Sequence, residues 1–255
     1  MRKALACFCI ALLLSLPVWA VKAPKGFDGK VYNSSVALVA SSKQKEISDR
    51  FICTAEVVKK VDGGYMLLSA GHCTPANDEL PEDMTFKVQD DLGQPMHDVF
   101  LLKAEFGGQG NEYKDYSLFY YPTDKKYNVL ELGDEKDATV GDKIVDVDFS
   151  LGTGKWVNHG VISSQVLPAG QAKGLYGVDM FSAGGSSGSA IVSEESHKVI
   201  GILVAGWRGA TMPALVEPIS RVKADIENIQ IKKRKADGQL MYIEQTPLDL
   251  TKDNQ

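Results

Sequence analysis

Short runs of β-branched and aromatic residues recur along most of the chain, separated by Gly, Pro, Asn and Asp. Regular short strands with turn residues between them are typical of an all-β sandwich or barrel. Only residues 219–231, which follow Pro218, carry apolar side chains at the spacing of an amphipathic helix. The predicted strands are 36–39, 51–58, 65–69, 85–88, 99–104, 116–121, 143–149, 156–166, 190–193, 199–205 and 214–217.

A charged stretch divides the β-rich part of the sequence. Residues 122–142 are rich in charge and contain Gly133 and Gly141 as turn residues. They separate two β-rich halves of comparable length, so we predict a connector between two β subdomains. The residues after the helix, 232–255, begin with a basic run and are predicted to form a polar tail.

The first twenty residues have the organisation of a signal peptide. Arg2 and Lys3 precede an apolar run at 4–16, and Ala20 is a small residue suited to cleavage. A membrane anchor is the alternative, but the run is shorter than the roughly 20 residues that a span needs. We therefore expect a secreted or periplasmic protein that has no membrane contact after cleavage.

Charge and cysteine content narrow the choice of partner. Cleavage would remove two positive charges from a chain whose formal net charge is already −5, which argues against nucleic-acid binding. Cys53 and Cys73 are the cysteines that remain, and a disulfide is the natural expectation in an exported chain. A metal site is the alternative, but two thiols and the adjacent His72 make an incomplete ligand set. We predict no metal and no cofactor.

Residues 183–190, Ala-Gly-Gly-Ser-Ser-Gly-Ser-Ala, are almost free of side chains. Such a stretch is often a flexible linker. It can also be a tight loop that presents a serine hydroxyl beside free backbone donors. Predicted strands on both sides place it inside a folded domain.

A serine nucleophile needs a base and a group that orients the base. His72 follows the strand 65–69 and precedes Cys73, whereas the other three histidines lie in polar turns. Asp115 directly precedes the apolar strand 116–121, where a carboxylate is costly unless it is paired. Asp98, which precedes the strand 99–104, is the alternative acid.

Three short motifs occur in the order His, Asp, Ser: Leu-Ser-Ala-Gly-His-Cys at 68–73, Lys-Asp-Tyr-Ser-Leu at 114–118 and Gly-Ser-Ser-Gly-Ser at 185–189. Together they resemble the motifs of the chymotrypsin-like (trypsin-like) serine protease family. The finer pattern is similar to the bacterial short-loop members, including HtrA-type protease domains, with no PDZ-like domain after it.

The resemblance implies a domain at 21–231. It would contain two six-stranded antiparallel β-barrels, at about 30–121 and 143–217, with the site in the cleft between them and the helix 219–231 at the C-terminal end. The connector, 122–142, would join the barrels. The family's histidine-loop disulfide would correspond to Cys53–Cys73.

The resemblance also implies the roles of the site residues. Ser187 would be the nucleophile, His72 the general base, and Asp115 the residue that orients His72. The backbone N–H groups of Gly185 and Ser187 would form the oxyanion hole. The family pattern places Gly two residues before the nucleophile and directly after it, which favours Ser187 over the neighbouring serines at 186 and 189.

The sequence departs from the family's digestive members at two positions. Ser186 stands where many of them have an Asp that pairs with a new N-terminus, so we predict activation without that salt bridge. Val204 stands where they often have a Ser that hydrogen-bonds the catalytic Asp. Asp115 is therefore expected either to find another partner or to be less well satisfied.

The same resemblance assigns Phe181 to the base of the S1 pocket and Val204, Ala205 and Gly206 to one wall. Because no Asp occupies the base position, a preference for Arg or Lys is not supported. We expect a small or medium apolar P1 residue; the alternative for Phe181 is that it simply packs in the barrel.

The leading functional prediction is a secreted serine endopeptidase that acts on protein or peptide substrates through an acyl-enzyme. The first alternative is a catalytically inactive binding protein that keeps the protease fold. The second is an unrelated secreted β protein in which the Gly/Ser loop is only a turn. The sequence makes no prediction of the oligomeric state.

Overall fold

The structure, a computed structural model, describes residues 22–44, 46–74, 82–91, 93–108, 113–168, 170, 172–206, 213–236 and 239–244. The predicted signal peptide, residues 1–20, lies outside the described residues. Within the described residues, no helix has the length and apolar character needed to cross a membrane.

The first six strands close into an antiparallel barrel in the order β1-β2-β3-β6-β5-β4. The barrel is sealed by pairing of β4 with β1, in which Leu38 lies opposite Val88. The strands are β1 (Ser35–Ser42), β2 (Ile47–Val61), β3 (Gly64–Ser69), β4 (Thr85–Gln89), β5 (Met96–Gly107) and β6 (Lys114–Pro122).

The connector contains β7 (Glu131–Leu132) and a 3-10 helix at Glu135–Asp137. Six further strands form the second barrel in the order β11-β8-β9-β10-β13-β12, closed by pairing of β11 with β12. β7 adds to β12 in parallel. The barrel strands are β8 (Lys143–Asp148), β9 (Trp156–Ile162), β10 (Tyr176–Asp179), β11 (Ala190–Ser193), β12 (Lys198–Gly206) and β13 (Ala214–Pro218). The predicted pair of six-stranded barrels is thus confirmed.

In the part of the chain that the structure describes, two α-helices and a hairpin lie outside the barrels. α1 (Gly26–Tyr32) precedes the first barrel, and α2 (Ser220–Asn228) follows the second. α2 is shorter than the predicted helix because Ile229 already has extended backbone angles. Beyond it, β14 (Gln230–Ala236) and β15 (Gln239–Glu244) pair antiparallel within the segment that we predicted to be a polar tail.

The largest group of buried apolar side chains runs through both barrels. It contains Leu38 and Leu118 of the first barrel, Val145 and Ile202 of the second, and Val222 of α2. Separating the barrels would expose part of this shared core to water, which is unfavourable. The core therefore holds the two barrels in one arrangement.

Candidate active site

His72 and Asp115 are joined by two hydrogen bonds at one end of the first barrel. The His72 Nδ1 atom lies 2.8 Å from Asp115 Oδ2, and the His72 backbone N–H donates to Oδ1 over 2.8 Å. Register brings them together, because β3 and β6 pair so that Ser69 lies opposite Ser117. The predicted base and acid are thus neighbours, with the His72 side chain 29% exposed and Asp115 1%.

The turn that carries His72 is tightly constrained. A 3-10 helix spans Gly71–Cys73, and a Cβ atom at Gly71 would lie 2.0 Å from the Glu105 carbonyl oxygen. Only glycine fits so close to the backbone of β5. The Cys53–Cys73 disulfide ties the turn to β2. Since the sulfurs are bonded to each other, neither is available as a thiolate ligand for a metal.

Asp115 has a further donor that the sequence analysis did not identify. The Tyr113 hydroxyl donates to Asp115 Oδ2 over 3.2 Å. Tyr113 therefore supplies the additional partner that the valine at 204 cannot. The alternative acid, Asp98, lies exposed on β5, where its backbone pairs with Lys87 of β4.

The three serines of the Gly/Ser loop have different surroundings. The Ser186 hydroxyl is buried and donates to the Ala183 carbonyl over 2.7 Å, and the Ser189 hydroxyl is buried and donates to Asp146 over 2.7 Å. Ser187 is half-buried, and its hydroxyl makes no hydrogen bond to any described residue. Ser187 thus carries the hydroxyl in this loop that is open to an approaching group.

The loop is fastened to the first barrel beside His72. The Ser187 carbonyl accepts a hydrogen bond from the Thr54 backbone N–H over 2.9 Å and lies 4.0 Å from Cys73 Sγ. At the next residue, a Cβ on Gly188 would lie 2.3 Å from the Thr54 carbonyl oxygen. Only a glycine allows this approach, which places Ser187 against the segment that carries His72.

The backbone N–H groups of Gly185 and Ser187, like that of Gly184, have no partner among the described residues. The Gly184 carbonyl accepts a hydrogen bond from the Leu151 N–H over 2.7 Å. In a trans peptide the C=O and N–H groups point in opposite directions, so this bond turns the Gly185 N–H away from Leu151. Gly185 has a φ of 106°, which glycine adopts readily.

Leu151 itself has a φ of 60°, an unusual value for a residue with a side chain. It lies in the turn Ser150–Gly152 that follows β8. Asp148 holds this turn, because its carboxylate accepts from both the backbone N–H and the hydroxyl of Ser150. Burial raises the pKa of Asp148, and it raises that of neighbouring Asp146 well above its usual range.

The residues assigned to the S1 pocket have different surroundings. Phe181 is 44% exposed and packs against the Trp156 ring, with 6.1 Å between centroids. Val204 is buried in the shared core, whereas Ala205 is half-buried and Gly206 is exposed at the end of β12. Trp156 was not identified from the sequence, because its neighbourhood with Phe181 is created by the fold.

A second carboxylate, which was not predicted from the sequence, lies behind Asp115. Glu217 of β13 is fully buried, and its Oε2 accepts a hydrogen bond from the Asp115 backbone N–H over 2.6 Å. The sequence contained an indication of this residue, because a carboxylate in the apolar strand 214–217 needs a partner when it is buried, as Asp115 does.

Comparisons with solved structures find the same fold in known proteases. The chain is similar to the HtrA-type protease AlgW with a tripeptide, at 16% identity and a TM-score of 0.61, over 83% of this chain and 69% of that one. It is similar to AlgW with a decapeptide at 15% identity and a TM-score of 0.61, over 82% and 72%. The serine endoprotease from Yersinia pestis matches at 15% identity and a TM-score of 0.57, over 82% and 71%. No curated protein sequence matches the chain.

At these identities the structural matches bear on the fold. The family assignment comes from the sequence itself: a family model described as a trypsin-like peptidase domain matches residues 53–202, more than half of the 255 residues. The matched region includes His72, Asp115 and Ser187 together with strands from both barrels. The chain therefore belongs to the family of trypsin-like peptidase domains.

Proposed function

We propose that this protein is an exported serine endopeptidase with Ser187 as its nucleophile. The observation that carries the proposal is the hydrogen-bonded His72–Asp115 pair beside a loop whose half-buried Ser187 hydroxyl makes no bond to a described residue. A free hydroxyl, an oriented imidazole and unpaired backbone donors are the parts that acyl transfer requires.

In the proposed reaction, the Ser187 oxygen attacks the carbonyl carbon of the scissile peptide bond, and His72 Nε2 takes the hydroxyl proton. Asp115 keeps the Nδ1 proton in place and stabilises the imidazolium. The N–H groups of Gly185 and Ser187 bind the oxyanion. Proton transfer from His72 to the amine breaks the C–N bond and leaves an acyl-enzyme, which water hydrolyses by the same base.

The proposed substrate is a protein or peptide. The solved structures of AlgW include a tripeptide and a decapeptide, which supports a peptide substrate for this related fold. We propose a small or medium apolar P1 residue, because Phe181, Val204, Ala205 and Gly206 provide no acidic group for Arg or Lys. Cleavage of a peptide panel varied at P1 tests this preference, and a strong preference for Arg or Lys would overturn it.

Labelling with a fluorophosphonate probe tests the proposed nucleophile. We expect the wild-type protein to be labelled on Ser187, as located by mass spectrometry, and the Ser187→Ala variant to lose labelling. Ser182→Ala removes a nearby half-buried hydroxyl and is the matched control, which should label like the wild type.

Labelling that survives in Ser187→Ala would contradict the assignment. Absence of labelling in the folded wild-type protein would favour the alternative of an inactive binding protein with the protease fold.

A further inference from the structure

Glu217 places a second buried carboxylate directly behind the Asp115–His72 pair. Its Oε2 accepts from the Asp115 backbone N–H over 2.6 Å, while its Oε1 is buried and has no hydrogen-bond partner among the described residues. Asp115 in turn contacts His72 at 2.8 Å. Contacts thus run from Glu217 on β13 through Asp115 on β6 to His72.

A purely structural role explains this carboxylate poorly. One acceptor atom would satisfy the Asp115 N–H, yet Glu217 carries a second oxygen that makes no bond to a described residue. Burying a carboxylate beside another carboxylate is unfavourable. A neutral acceptor would hold the same backbone at lower cost, so the ionisable group itself requires an explanation.

Burial and, to a smaller extent, the negative charge of Asp115 raise the pKa of Glu217 to about 7, whereas the hydrogen bond from the Asp115 N–H and the positive charges of Arg221 and Lys114 oppose this shift. Burial is the main cause that raises the pKa of the Tyr113 and Tyr116 hydroxyls, and the negative charge of Glu217 raises both pKa values further. Glu217 therefore changes its charge in the neutral range, where an imidazole also titrates.

We propose that Glu217 is a positioning residue for the proposed protease reaction: its carboxylate fixes the backbone of Asp115 and adds a second negative charge behind the His72 imidazole. The inference rests on the proposed function, because it concerns the same site. Ionised Glu217 favours the protonated imidazole, and protonated Glu217 removes this effect. The basicity of His72 is thereby linked to the proton on Glu217.

Glu217→Gln tests the proposal, since glutamine keeps an oxygen for the Asp115 N–H and loses the charge. The measurements are the rate of fluorophosphonate labelling between about pH 5 and pH 9 and the NMR titration of the His72 ring. Without the charge, His72 should lose its proton more easily, so both curves should move to lower pH by about 0.5 to 1. Glu227→Gln, the same change at an exposed position of α2, should leave both curves unchanged.

Unchanged curves in folded Glu217→Gln would overturn the inference. If the variant does not fold, carbon NMR of the wild-type Glu217 carboxyl decides: the inference requires a titration in the neutral range that also perturbs His72, and a carboxyl that stays in one state contradicts it. If the wild type is never labelled, the proposed function fails, while the His72 titration still decides whether Glu217 is coupled to it.

Discussion

Asp115 accepts hydrogen bonds from three donors: the His72 backbone, the His72 ring and the Tyr113 hydroxyl. Its pairing could be predicted, because a carboxylate before an apolar strand needs partners. Tyr113 could not be predicted as a partner, because the direction of a side chain just before a strand depends on the surrounding fold. In the proposed reaction, Asp115 would therefore hold both the position of the imidazole and its Nδ1 proton.

Asp115→Asn is expected to lower the rate of fluorophosphonate labelling by about 10³–10⁴-fold. The asparagine oxygen can still accept from the His72 backbone, but its amide group then faces Nδ1 and favours the wrong tautomer. Asp98→Asn is the matched control on exposed β5 and should label like the wild type. A large loss in Asp98→Asn with no loss in Asp115→Asn would reverse the assignment of the acid.

At the scale of elements, the turn after β8 sets the geometry of the Gly/Ser loop. The Leu151 N–H holds the Gly184 carbonyl, and this bond directs the Gly185 N–H to the other side. The turn is itself held by the Asp148 carboxylate through Ser150. Part of the proposed oxyanion hole is thus built by a segment that takes no part in the reaction.

Leu151→Pro should lower the labelling rate by about 10²–10³-fold, the typical cost of losing one oxyanion donor. Proline has no N–H group and cannot adopt a φ of 60°. Leu151→Gly keeps the N–H, suits the backbone conformation and should remain within a few-fold of the wild type. Equal losses in both variants would show that the leucine side chain matters, and not its backbone.

The strand-rich elements could be predicted from the sequence better than the contacts between them. The strand-rich character of the chain and α2 follow from local patterns of apolar residues, whereas the pair of barrels was implied by the resemblance to the protease family. The two-residue strand β7 and the short helix α1 carry too few apolar residues for their patterns to be recognised in the sequence. Glu217 was missed because its burial beside Asp115 joins strands that are 102 residues apart in sequence.

At the scale of the whole molecule, Thr54 links the two barrels. Its hydroxyl donates to the Gly185 carbonyl over 2.9 Å and accepts from the Phe149 N–H over 3.0 Å. Its backbone N–H donates to the Ser187 carbonyl, and its own carbonyl accepts from the Ser69 hydroxyl. One buried residue of β2 therefore connects the His72 side of the cleft to the Ser187 side.

Thr54→Val should lower the free energy of unfolding by about 1–3 kcal/mol, because two buried backbone groups lose their partner. The labelling rate should fall as well, since the Gly/Ser loop loses an anchor. Thr54→Ser keeps the hydroxyl and should retain the labelling rate. Denaturant unfolding measures the change in stability, and fluorophosphonate labelling of the folded variant measures the change in reactivity. A fully reactive Thr54→Val would contradict the role of this link.

Barrel closure has a consequence for how the chain can be divided. Each barrel completes its own hydrogen-bonded ring, so neither barrel needs strands of the other to complete its sheet. A cut at 123–126, ahead of β7, would give two separately translatable pieces, one with His72 and Asp115 and the other with Ser187. Neither piece would contain all three of these residues. Reactivity toward the probe would therefore report the association of the two pieces, as in a split-protein sensor.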